Sequence, residues 1–109
     1  MQRVLQIILD GGQAMTAFIG IDGLRKLATD SGELDFIRHE PEADRIRVVV
    51  SRAGELTIGE CTDQEALEKC RESSVWTAYT ERMQRNTAER RALEEAFPEW
   101  KTIVQNWTK

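Results

Sequence analysis

Nowhere in the sequence do apolar residues run on for the ~20 positions that a membrane-crossing helix needs, and no membrane role is expected. VLQIIL, near the start, is short, has only Arg3 before it and no small-residue cleavage site after it, so it does not read as a secretory signal. No repeat, low-complexity tract or Pro/Gly/Ser-rich linker divides the 109 residues. A chain of that length suits one domain, residues 1–109. Histidine occurs once, at His39, and cysteine twice, at Cys61 and Cys70. Structural zinc takes about four Cys or His ligands, and neither a CxxC nor an HxxxH pair is present. Neither GxGxxG nor GxxxxGK occurs, which removes the glycine-rich phosphate loops. No metal and no cofactor are therefore expected.

The cysteines bear on compartment. After Cys61 comes TDQEALEKC, in which Thr62 and Glu65 stand as in a helix capping box. If that helix forms, its rise sets Cys61 and Cys70 roughly 13 Å apart, whereas a disulfide needs Cα atoms within about 7 Å. Two free thiols and a reducing cytoplasm follow.

What is present reads as a folded, soluble chain, with 40% hydrophobic and 31% charged residues. The net charge of −4 is unevenly spread. Residues 30–68 hold eleven acids against four bases, whereas residues 69–109 hold eight bases against six acids. Neither end has the dense basic cluster that announces nucleic acid.

Alternation and turn chemistry give the elements. VLQIIL and AMTAFIGI around Asp10-Gly11-Gly12 predict a hairpin, with two helices as the alternative. Asp22 is expected to cap a helix through GLRKLATD that Ser31-Gly32 ends. ELDFIRHE, RIRVVVS and ELTIGE, joined by EPEAD and RAG, predict a three-stranded antiparallel meander with one face buried. From Thr62 onward the chain reads as helix, with a soft interruption at Ser73-Ser74. Val75, Ala78, Tyr79 and Met83 form one apolar stripe there. In QRNTAERR, Ala88 is the only apolar residue. Either a long helix turns its middle to solvent, or it breaks and restarts at Asn86 with Glu89 as a capping pair. Pro98 suits the first turn of a last helix. The expected fold is α+β, a small antiparallel sheet packed by helices from the C-terminal half.

No catalytic signature accompanies this fold. Cys61 with His39, or a carboxylate pair such as Glu94-Glu95, is the material for a small enzyme, but no spacing joins either into a site. Arg82, Arg85, Arg90 and Arg91 form the one basic concentration, interleaved with Glu81 and Glu89. They carry an alternative reading as a nucleic-acid-binding accessory protein. Five of the seven aromatics lie from Trp76 onward. Phe97, Trp100, Val104 and Trp107 fall on one helical stripe, and Trp107 lies near the end of the chain, where segments fray unless held. These four, with the acidic Glu40, Glu42 and Asp44, are the expected partner-binding residues. The function expected is a non-catalytic protein-protein interaction module, a small regulator or inhibitor of a larger machine, with a protein partner or a second copy bound. The phage-encoded sort, which occupies a basic groove with an acidic surface, is included.

Overall fold

The structure, a computed structural model, describes residues 5–10 and 13–107, with side chains from Gly20 to Asn106. β1 (Leu5–Asp10) and β2 (Gln13–Ile19) pair antiparallel as a separate hairpin, Leu5 opposite Ile19 and Asp10 opposite Gln13. The hairpin alternative is thus the one adopted. α1 (Ile21–Asp30) follows, then the meander β3 (Leu34–Pro41), β4 (Arg45–Arg52) and β5 (Glu55–Thr62), in that spatial order. α2 (Asp63–Glu72), α3 (Ser74–Ala78), α4 (Thr80–Ala96) and α5 (Trp100–Trp107) complete the chain. The architecture is α+β, a three-stranded antiparallel sheet packed by helices. Among the described residues no helix is long and apolar enough to cross a membrane.

Local chemistry accounts for most boundaries. The Thr62 hydroxyl accepts a hydrogen bond from the Glu65 amide at 3.1 Å, so the expected cap forms. Ser31 ends α1, and Gly32 takes the left-handed φ of 73° that follows a helix end. Asp22 is not the cap of α1. The helix begins two residues earlier, with Gly20 at the cap position, and Asp22 in the first turn bonds Arg25 at 3.3 Å instead. Residues 62–96 form three helical segments. Ser73 is extended and caps α3 through the Trp76 amide, and a second break falls at Tyr79. That break separates Val75 and Ala78 from Met83, so the stripe predicted for them is not buried as one face; Val75 and Tyr79 stay exposed.

The core lies between one face of the sheet and two helices. Val48 and Val50 of β4 and Cys61 of β5 meet Leu24 and Ala28 of α1 and Ala88, Ala92 and Leu93 of α4. Phe97 closes one end, fully buried, beneath the Arg52 guanidinium at 4.4 Å. α4 crosses β5 at Gly59, where an added Cβ would stand 2.2 Å from the Ala88 carbonyl oxygen and 2.5 Å from the Ala92 nitrogen. Only glycine admits so close a helix.

Two differences from the expected pattern have clear causes. A bulge between Leu34 and Phe36 shifts the phase of β3. Leu34 and Ile37 therefore both pack toward the core, while Phe36 remains exposed. The other difference concerns α4, which runs unbroken without turning its middle to solvent. Gln84, Ala88 and Glu89 are all buried there. The polar two are held by partners: Gln84 Nε2 donates to the Cys61 carbonyl at 2.9 Å and to Asp63 Oδ1 at 2.8 Å.

Candidate functional site

With α1 and α4 on one face of the sheet, the other face is set by strand alternation and register. Three cross-strand rows result: Phe36, Ser51, Leu56; then Arg38, Val49, Ile58; then Glu40, Arg47, Glu60. The first two rows carry the exposed apolar side chains of this face. Leu56 is 63% exposed, Ile58 50% and Phe36 38%, while Val49 between them is at 5%. The Arg38 guanidinium stands 4.9 Å from the Phe36 ring centroid. The third row is a lattice of ion pairs. Arg38 Nε lies 3.0 Å from Glu40, Arg47 Nε 3.0 Å from Glu60, and Arg45 Nη1 2.7 Å from Glu60. Arg45, and after it Arg47, holds the Glu60 carboxyl below its usual range.

The residues expected to bind a partner are distributed differently. Phe97 is enclosed in the chain's own core. Trp100 and Val104 are half-buried against that core, and Trp100 Nε1 donates to the Glu94 carbonyl at 3.0 Å. The Trp107 side chain lies outside the described residues. The three acids are each beside an arginine of the same chain: Glu40 with Arg38, Glu42 with Arg47 at 3.2 Å, and Asp44 with Arg45 at 3.1 Å.

The four arginines of α4 also divide. Arg91 reaches toward α2, where it pairs with Glu65 and donates to the Glu60 carbonyl at 2.8 Å. Arg90 and Arg91 line one cleft with Lys69 and Trp76. Arg82 and Arg85 line another, of about 510 Å³, with Arg25 and His39. Behind this second cleft sits Glu89, 2% exposed. Arg25 Nε donates to one Glu89 oxygen, and His39 Nε2 lies 2.8 Å from the other. Burial by itself would push the Glu89 carboxyl up. The hydrogen bonds from Arg25 and His39 outweigh it and hold the group below its usual value. Sequence reading did not assemble this trio, whose members stand 64 and 50 residues from Glu89. Its one local signal was an acid at the centre of a predicted helix, among bases.

Cys61 and His39 are not brought together. They lie on β5 and β3, with β4 between and two residues out of register, so two strand spacings and the offset along the strand set them ~12 Å apart. Burial, above all, pushes the Cys61 thiol up to about 11, so it stays protonated. Both cysteines are free. Among the described residues no three His, Cys, Asp or Glu side chains gather where they would hold a metal ion. The chain matches no family of known proteins, and no curated protein is detectably similar to it.

Proposed function

We propose that this chain is a non-catalytic protein-interaction module of the cytoplasm, a small regulator, and that the open face of its sheet docks a second copy of itself. The observation that supports the reading is the apolar half of that face: Phe36, Leu56 and Ile58 exposed side by side around Val49. Contiguous exposed apolar surface on a small domain marks an interaction site more often than chance. The same face favours self-association over a strongly charged partner. Its outward charges balance, Arg38 and Arg47 against Glu40 and Glu60, and they already pair within the chain. A two-fold axis through the apolar rows lays aliphatic and aromatic groups on their own copies and leaves the ion-pair lattice at the rim.

Size sets the strength. Three strands of eight residues cover a plan area of roughly 380 Å², taking about 4.8 Å between strands and 3.3 Å per residue. A stable dimer buries about 800 Å² on each partner. Contact over this face alone therefore gives a weak, concentration-dependent dimer. Sedimentation velocity across a hundredfold range of concentration tests the reading. Dimer at the upper end, abolished in Ile58→Glu with an unchanged circular dichroism spectrum, supports it. A wild-type monomer throughout removes it.

A further inference from the structure

We propose that the cleft between α1, β3 and α4 binds a compact polyphosphate, with Arg25, Arg82, Arg85 and His39 as the side chains that contact it. The site is independent of the sheet face and lies on the opposite side of the sheet.

Three observations carry this. First, two of the contacting side chains are fixed in place. Glu89, all but removed from solvent, anchors Arg25 through Nε and His39 through Nε2. Arg25 and His39 themselves remain 43% and 40% exposed at the cleft. A guanidinium has five donors. Arg25 uses Nε on Glu89 and Nη1 on Asp22, and the rest of its fork is available to a ligand. An arginine held this way loses little freedom when it grips an anion.

Second, the cleft has two arginines that no acid answers. Asp22 and Glu89 both pair with Arg25, and Glu89 also holds His39. Arg82 and Arg85, one helical turn apart, have no acid partner among the described residues. That includes Glu81, four residues before Arg85 on the same helix. Elsewhere the pattern is the reverse: Arg38, Arg45, Arg47, Arg52 and Arg91 each meet a carboxylate. In a chain of net charge −4, two unanswered guanidinium groups at one concavity are a local cationic focus.

Third, shape favours a compact ligand over a strand. The neighbouring cleft shares Ile21 and Asn86 with this one, so an extended nucleic acid would have to cross both. There Arg91 is already engaged by Glu65, Glu94 contributes an opposing charge, and Trp76 and Met83 make the lining more apolar. Adjacent phosphate groups, each able to take bidentate hydrogen bonds from arginine, match two unanswered guanidinium groups within a volume near 510 Å³. Such groups come either as inorganic polyphosphate or as the tail of a nucleotide.

Isothermal titration of the full chain with inorganic tripolyphosphate tests the proposal, with a nucleoside triphosphate and a single-stranded oligonucleotide lacking terminal phosphates as further arms. Saturable binding of tripolyphosphate is expected. Arg82→Gln with Arg85→Gln removes two charge-assisted contacts and should weaken it at least about tenfold. Arg71→Gln, at an exposed helical position away from the cleft, should leave it unchanged. Arg25 is left intact, since its removal strands Glu89. Tighter binding of the nucleotide than of tripolyphosphate identifies the nucleotide as the source, and equal binding identifies the phosphates alone. No binding at millimolar tripolyphosphate overturns the proposal. So does an equal loss in Arg71→Gln, or an oligonucleotide that binds as tightly as tripolyphosphate.

Discussion

Removing Glu89 and removing Arg25 are different perturbations of one contact. Glu89 is buried, whereas Arg25 and His39 are partly exposed. In Glu89→Gln, Arg25 and His39 lose a carboxylate but regain water, and the amide still fills the space. A cost of about 1–2 kcal/mol is expected, the scale of a charged hydrogen bond. Arg25→Ala instead leaves a buried carboxylate with His39 as its remaining side-chain partner. Breaking a buried pair in that direction costs about 3–5 kcal/mol. Urea denaturation of both variants checks the ordering, and equal midpoints would contradict it. Sequence reading reached single residues only where their partners were near. Thr62 and Glu65 were legible because a cap is written within four positions. The Glu89 contacts were not, since nothing local shows which helix face meets which strand.

At the scale of elements, the meander, its turns and its antiparallel order were all legible from alternation. The bulge at Asp35 was not. Asp35 accepts from the Ser51 hydroxyl at 2.8 Å and from the Gly54 amide at 2.9 Å, bonds that pin the bulged strand to the next turn. The same blindness hid the face that Phe36 occupies. α4 misled for a related reason: its buried side holds alanines, a glutamine and a glutamate, which no hydrophobic period reveals. Its seat on β5 makes a sharp prediction. Gly59→Ala places a methyl against helix backbone, which cannot rotate aside as a side chain can. Overpacking of this kind costs about 1–3 kcal/mol. Thermal unfolding should show a Tm lowered by several degrees, and Gly54→Ala, in open space, should act only through its φ of 85°.

For the whole molecule, acid is the revealing variable. Glu89, Glu65, Glu60, Asp35 and Asp44 all have carboxyls held below their ordinary values. A group whose folded value is depressed contributes stability above its unfolded value and loses it as pH falls toward the folded one. Unfolded Asp and Glu titrate near 4. Stability should therefore be nearly flat between neutrality and about pH 5, then fall steeply below about 4.5. Glu89→Gln should shallow that fall, because one of the depressed groups no longer titrates. Guanidinium melts at a series of pH values check both statements. A profile that rises on acidification would contradict the first.

The placement of the two thiols has a practical consequence. Cys70 keeps part of its surface in the folded chain, whereas Cys61 has none and stays protonated. An alkylating reagent therefore meets one sulfur at once and the other only after α4 has lifted from β5. The slow second modification, followed by mass spectrometry, becomes a clock for that opening event, read without any label beyond the chain's own chemistry.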